Sequence, residues 1–184
     1  AGVPLARWLA PDAGGTVAVN GVVGAVPPEK AERRARFLAK DGYRAVKVKI
    51  GLDDVLDIER IAAVCAVVGR GVRVRADANG AWDPLRAEVM LEALAPQHLE
   101  YVEQPLAAGD IEGMAALRRT GTTRIAADES LLLPDGVARV LAGAAADVLV
   151  LKPALAGGLA ATWSAAAAAR AAGVDVVVGT ALDA

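Results

Sequence analysis

Amine and carboxylate side chains recur at nearly even spacing along this 184-residue chain. Two lysines come first, three acids follow, and a further lysine ends the series. These residues are Lys47, Lys49, Asp77, Glu103, Asp128 and Lys152. From Lys49 onward the gaps are 28, 26, 25 and 24 residues, and each gap contains one helical pattern after a β-rich run. A row of carboxylates between amines suggests a metal site flanked by acid/base groups.

The β-rich and helical segments alternate strictly, which predicts a parallel sheet. We predict strands near residues 16–24, 45–50, 72–77, 99–103, 124–128, 147–152 and 174–179. We predict helices near residues 28–41, 53–69, 83–95, 110–120, 134–144 and 158–172. A β/α barrel of the TIM type has eight such units, so the sequence predicts an α/β fold with an incomplete barrel of about seven strands. We expect residues 1–184 to form one partial barrel domain.

The first two lysines of the series share one face of their strand. Side chains alternate between the two faces of a strand, so Lys47 and Lys49 point the same way. Strands of a parallel sheet are normally buried on both faces, and a buried lysine is costly unless it has a partner. In a barrel, catalytic groups collect on the inward side near the carboxyl ends of the strands. We therefore expect both lysines to belong to a functional site.

Composition excludes several classes of partner. The chain is 55% hydrophobic with a net charge of −2, so it lacks the basic footprint of a nucleic-acid-binding protein. No apolar run reaches the roughly 20 residues that a membrane span needs. The single cysteine, Cys65, is interpreted as a small core residue and cannot form an internal disulfide. With no secretory signal pattern at the start, these features favour a cytoplasmic location.

Five short motifs carry a resemblance to a known family. They are Lys-x-Lys at 47–49, Asp-x-Asn at 77–79, Glu-Gln-Pro at 103–105, Asp-Glu-Ser at 128–130 and Lys-Pro at 152–153. In this order they resemble the enolase superfamily, in its muconate-lactonizing subgroup. Residues 17–28, 77–82 and 152–158 most resemble the o-succinylbenzoate synthase family of the actinobacterial type. Dipeptide epimerases, N-succinylamino acid racemases and muconate cycloisomerases share the five motifs, which therefore leave the reaction open.

The resemblance implies a role for each residue of the series. Asp77, Glu103 and Asp128 would ligate Mg²⁺, with Mn²⁺ as an alternative, because carboxylate oxygens suit these hard cations. No histidine or cysteine lies within the motifs, which argues against zinc. His98 is interpreted as a surface or packing residue rather than a ligand. Asn79 is expected to contact the substrate.

The three lysines would then supply acid/base chemistry and charge. By resemblance, Lys49 is the acid/base group, Lys152 lies on the opposite face of the substrate, and Lys47 modulates Lys49. A lysine base must be neutral, although a free lysine has a pKa of about 10.4. A second ammonium on the same face, a metal ion and partial burial all lower the pKa of a lysine. The Lys-x-Lys spacing would therefore help to lower the pKa of Lys49.

The reaction implied by the closest resemblance is a Mg²⁺-dependent syn dehydration of a small-molecule carboxylate. Here 2-succinyl-6-hydroxy-2,4-cyclohexadiene-1-carboxylate becomes o-succinylbenzoate through an enediolate, in menaquinone biosynthesis. Members of the superfamily also have an N-terminal capping domain and a last barrel strand. We expect this chain to lack both and to be a piece of a longer protein. Two alternatives are an inactive barrel fragment and a half-barrel that assembles with a partner. The sequence does not predict an oligomeric state.

Overall fold

Seven parallel strands form the centre of the computed structural model, which describes residues 2–180. The strands are Gly21–Val23 (β1), Ala45–Lys49 (β2), Arg73–Asp77 (β3), Tyr101–Glu103 (β4), Ile125–Ala127 (β5), Val148–Leu151 (β6) and Asp175–Val178 (β7). Their order in the sheet is their order in the chain, and every neighbouring pair is parallel. This is the predicted α/β arrangement, with β1 and β7 as the two edges of the sheet in the described residues.

Helices connect the strands in the predicted alternation. They are Leu5–Leu9 (α1), Pro28–Lys40 (α2), Asp54–Val68 (α3), Pro84–Leu94 (α4), Ile111–Thr120 (α5), Gly136–Ala142 (α6) and Leu159–Ala171 (α7), with short 3₁₀ helices at Ala95–Gln97 and Glu129–Leu132. Asp53, Asp83 and Asp110 each cap a helix by accepting a hydrogen bond from the backbone N–H three residues later. Within residues 2–180, each helix is too short or too polar to cross a membrane.

The N-terminal region differs from the sequence prediction. The strand predicted at residues 16–24 covers only Gly21–Val23, and Val17 and Val19 are 86% and 62% exposed. The reason is that β2 pairs with this segment over three residues only, so the preceding apolar residues have no neighbouring strand. Helix α1 was not predicted, because five residues without a buried side chain show no apolar period.

Apolar residues pack on both faces of the sheet. The larger core lies between the sheet and the helices and includes Val46, Val48 and Leu149. A smaller cluster on the other face consists of Tyr101, Ala126, Val148 and Val150, with Val177 packed against it. Lys47 and Lys49 alternate with Val46 and Val48, so they point away from the larger core, as their shared face predicted.

A close contact joins the loops that follow β2 and β3. Gly51 has a φ of +98°, and a Cβ atom there would lie 2.8 Å from the backbone oxygen of Ala78 and from the Cβ of Ala81. Only glycine accommodates both the backbone conformation and this approach. The loop after Lys49 is therefore packed directly against the loop after Asp77.

Candidate active site at the carboxyl ends of the strands

Three charged residues lie side by side at the ends of β2, β3 and β4. The strand register places Lys49 beside Asp77, and Asp77 beside Glu103. The Nζ of Lys47 lies 2.8 Å from Asp77 Oδ2 and 2.7 Å from Glu103 Oε1. The Nζ of Lys49 lies 2.5 Å from the same Asp77 oxygen. The two carboxylates are almost fully buried, and within the described residues these lysines are the cations that pair with them.

The same edge of the sheet carries a second ion pair. Asp128 directly follows β5 and is 1% exposed, and Lys152 directly follows β6. The Nζ of Lys152 lies 2.5 Å from Asp128 Oδ2. Lys47 and Lys49 thus pair with carboxylates at one end of the row, and Lys152 pairs with the carboxylate at the other end. All six residues of the predicted series lie at this edge.

Asn79 extends the row from the loop after β3. Its Oδ1 accepts a hydrogen bond from Lys49 Nζ at 2.7 Å, and its backbone N–H donates to Asp77 Oδ1 at 3.0 Å. The residue has a φ of +47°, which is uncommon for a residue other than glycine. Its predicted substrate contact stays a prediction, but its contact with Lys49 is direct.

Burial and charge act in opposite directions on the buried groups. Burial and the charge of Asp77 raise the pKa of Glu103 to about 7, although Lys47 partly opposes the shift. Burial also acts to raise the pKa of Asp77, but Lys47 and Lys49 outweigh it and hold that pKa below its usual value. Burial acts to lower the pKa of Lys47, while Glu103 and Asp77 more than compensate and raise it. Of these two carboxylates, Glu103 is therefore the one whose negative charge is less compensated.

The donor set fits a hard divalent cation. Glu103 Oε2 and Asp128 Oδ1 are buried and have no hydrogen-bond partner in the described part of the chain. An unpaired buried carboxylate oxygen is costly, and a cation would compensate for that cost. As the side chains stand, no three His, Cys, Asp or Glu residues within 2–180 are close enough together to hold a metal. The lysine ammonium groups contact those carboxylates instead, so the ligand roles of Asp77, Glu103 and Asp128 stay a prediction.

Sequence reasoning assigned no role to Gln104, which organises the loop after β5. The side chain is completely buried, and its Oε1 accepts hydrogen bonds from the backbone N–H groups of Asp128 and Ser130 at 3.0 and 3.1 Å. Its Nε2 donates to Ser130 Oγ and to the Leu106 carbonyl, each at 2.8 Å. Gln104 therefore positions the backbone on both sides of Glu129. The sequence feature that could have indicated this role is the position of Gln104 in the Glu-Gln-Pro motif at 103–105.

Two titratable residues outside the series have other surroundings. His98 is exposed at the end of the 3₁₀ helix Ala95–Gln97. Cys65 lies on α3 and is partly buried, and this burial raises the pKa of its thiol to about 11. A thiol with so high a pKa is a poor nucleophile near neutral pH, which agrees with its interpretation as a packing residue.

One cavity is lined by none of the six charged residues of the series. It is an apolar groove of about 750 Å³ between α1, α7 and β7, and Leu9, Trp163 and Val176 are among its lining residues. A second cavity of about 500 Å³ lies between α6, α7 and the end of β6, and Lys152 is part of its wall. Chemistry rather than cavity volume therefore identifies the candidate site.

Comparison with known proteins gives consistent matches. The family described as Enolase C-terminal domain-like matches residues 30–183. The o-succinylbenzoate synthase of Thermobifida fusca (strain YX) is 41% identical over 179 residues, which cover 96% of this chain and 54% of that protein. The L-Ala-D/L-Glu epimerase of Bacillus subtilis (strain 168) is 34% identical over 171 residues, covering 91% and 45%. The chain thus spans about half the length of the curated relatives it matches.

A solved structure agrees with the fold. The dipeptide epimerase from Enterococcus faecalis V583, complexed with Mg and the dipeptide L-Leu-L-Tyr, matches with a TM-score of 0.84 and 29% identity. The match covers 89% of this chain and 46% of that chain. This chain therefore corresponds to about half of that structure, which confirms the predicted incomplete barrel of the TIM type. With the family match over residues 30–183, this chain belongs to the enolase superfamily.

Proposed function

We propose that the full-length protein is an o-succinylbenzoate synthase, a lyase of menaquinone biosynthesis that acts in the cytoplasm. Its substrate would be 2-succinyl-6-hydroxy-2,4-cyclohexadiene-1-carboxylate. The observation that carries this choice is the higher identity to the Thermobifida fusca synthase than to the Bacillus subtilis epimerase. We also propose that residues 1–184 form a single partial barrel domain.

The buried carboxylates would hold the metal. Asp77, Glu103 and Asp128 supply oxygen ligands of the kind that Mg²⁺ prefers, and two of their oxygens have no hydrogen-bond partner in the described residues. A bound divalent cation supplies Lewis-acid stabilisation for the second negative charge that develops on the substrate carboxylate. The lysine ammonium groups contact the other oxygens of Glu103 and Asp128, Oε1 and Oδ2.

Lys49 would transfer the proton in both steps. Its amine takes the proton from the carbon next to the substrate carboxylate and then donates that proton to the departing hydroxide, which leaves as water. One group can do both because the proton and hydroxide leave from the same face. Lys152, at the other end of the carboxylate row, would act as a fixed cation, and Lys47 would modulate Lys49 through its charge.

A second candidate function is racemisation or epimerisation of an N-succinylamino acid or a dipeptide. The specific observation in its favour is that amines lie at both ends of the carboxylate row. Inversion at a carbon needs one base on each face, and Lys49 and Lys152 would supply them. Muconate cycloisomerisation remains the third reaction that shares the motifs.

One set of assays distinguishes these reactions. The full-length protein is incubated with Mg²⁺ and the cyclohexadiene carboxylate, and o-succinylbenzoate is followed by its absorbance. Parallel samples in D₂O contain each enantiomer of an N-succinylamino acid or the dipeptide L-Ala-L-Glu. A synthase should form o-succinylbenzoate and exchange these α-protons slowly. Fast exchange of both enantiomers without dehydration would favour a racemase, and no reaction at all would favour a non-catalytic barrel.

A further inference from the structure

Glu129 reaches across the end of β4 to the loop that follows β3. Its Oε1 accepts a hydrogen bond from Asn79 Nδ2 at 2.9 Å. The other end of the same amide, Asn79 Oδ1, accepts a hydrogen bond from Lys49 Nζ at 2.7 Å. A carboxylate, an amide and an amine therefore form a continuous chain of hydrogen bonds that ends on the proposed acid/base group.

The chemistry of the two partners determines how the Asn79 amide is oriented. A carboxylate only accepts hydrogen bonds, and an ammonium only donates them. The amide of asparagine has one accepting and one donating end, so only one of its two orientations satisfies Glu129 and Lys49 together. If Glu129 were removed, the amide could rotate and present its NH₂ group to the amine of Lys49.

The backbone holds both ends of this chain in place. Gln104 accepts hydrogen bonds from the N–H groups of Asp128 and Ser130, the two neighbours of Glu129. The N–H of Asn79 donates to Asp77 Oδ1. These hydrogen bonds fix the backbone next to Glu129 and at Asn79. The contact between the Glu129 carboxylate and the Asn79 amide therefore joins two fixed segments.

Packing does not account for a carboxylate at position 129. The second oxygen of Glu129, Oε2, is buried and has no partner in the described residues. A buried unpaired oxygen of this kind lowers stability, and such a group calls for another explanation. The contact with Asn79 is the specific interaction that a carboxylate makes here.

We propose that Glu129 is a positioning residue. It acts through the amide of Asn79 to hold the amine of Lys49 in the position from which Lys49 would transfer the proton. This proposal rests on the proposed acid/base role of Lys49. Displacement of a reacting group by about 1 Å is enough to lower a rate by up to about 100-fold. Loss of Glu129 should therefore affect the chemical step more than substrate binding.

The test uses three variants of the full-length protein with Mg²⁺ and the cyclohexadiene carboxylate. We expect Glu129→Ala to lower kcat by about 10-fold or more, with KM changed by less than about 2-fold. Glu129→Gln keeps an acceptor oxygen and should recover most of kcat. Glu88→Ala removes an exposed carboxylate of α4 and serves as the matched control, with wild-type kinetics.

A double-mutant cycle tests whether Glu129 acts through Asn79. If it does, Glu129→Ala should cause no further loss of kcat in an Asn79→Ala background. Additive losses, an effect confined to KM, or unchanged kinetics in Glu129→Ala would overturn the proposal. Unfolding midpoints of all variants are measured so that a general loss of stability is recognised.

An NMR measurement tests the positioning role of Glu129 independently of the proposed enzymatic activity. Wild-type protein that neither dehydrates the substrate nor exchanges α-protons would contradict the proposed function. Even if the wild-type protein were inactive, Glu129→Ala should shift the ¹⁵N NMR signals of the Asn79 side-chain amide and the Lys49 amine. The Lys49 shift should vanish in an Asn79→Ala background. Signals that do not respond to Glu129→Ala would overturn the positioning role whatever the activity.

Discussion

The guanidinium of Arg60 on α3 is hydrogen-bonded to the backbone carbonyl of Lys49, with 3.1 Å between Nη1 and the oxygen. The same side chain donates from Nε to the carbonyl of Val26 and forms an ion pair with Asp57. Asp57 in turn accepts from the N–H groups of residues 51–53. A buried ion pair thus holds the end of β2, and the loop after it, from the helix side of the sheet.

We predict that Arg60→Leu destabilises the protein by about 3 kcal/mol. The substitution leaves the buried carboxylate of Asp57 without its charge partner and frees the Lys49 and Val26 carbonyls. Urea unfolding measures the change. Arg36→Leu is the matched control, since Arg36 forms an exposed ion pair with Glu32 and should contribute less than about 1 kcal/mol. Equal effects of the two substitutions would contradict this account.

The candidate metal site predicts stabilisation by Mg²⁺. A cation that binds only the folded protein raises the unfolding midpoint, and Asp128→Asn should reduce this increase because it removes one anionic ligand. The comparison is between midpoints with and without Mg²⁺ for each protein, since Asp128→Asn also weakens the pair with Lys152. Asp12→Asn, at an exposed position, should respond as the wild type does. An equal Mg²⁺ response in Asp128→Asn would count against the site.

The two lysines should differ under substitution. We expect Lys49→Ala to lower kcat by about 10²–10⁴-fold or more, because it would remove the proposed general acid/base group. Lys152→Arg should retain part of the dehydration rate, since arginine keeps the charge but is no base near pH 7. Steady-state dehydration kinetics measure both effects, with exposed Lys40→Ala as the control. Complete loss in Lys152→Arg, with solvent exchange of both enantiomers in the wild type, would favour the racemase instead.

Glu103 should make the metal-free protein less stable as the pH rises. Its pKa is raised from 4.5 to about 7, so between these values the folded state binds a proton that the unfolded state does not. Stability therefore falls as pH rises through this window, by about 2–3 kcal/mol from this group. Urea unfolding with EDTA at pH 5 and pH 8 measures it. Glu103→Gln should remove this part of the slope, and an unchanged slope would contradict the assignment.

Local patterns were sufficient to predict the edge on which the charged residues lie. Residues two apart on a strand share a face, and successive parallel strands end at one edge of the sheet. Lys47, Lys49 and Asp77 therefore could be placed together before any tertiary contact was known. Capping signals such as Asp83-Pro84 also predicted helix starts, because a cap depends only on residues close by in the sequence.

Tertiary structure alone decided which groups touch. Glu129 and Asn79 are 50 residues apart, and Gln104 bonds to backbone groups 24 and 26 residues away. These contacts depend on how adjacent strands are staggered and on loops with unusual backbone angles, including a φ of +39° at Gln104. Side-chain period determines the face on which a residue lies, whereas the packing of separate β/α units determines the distance between two residues on that face.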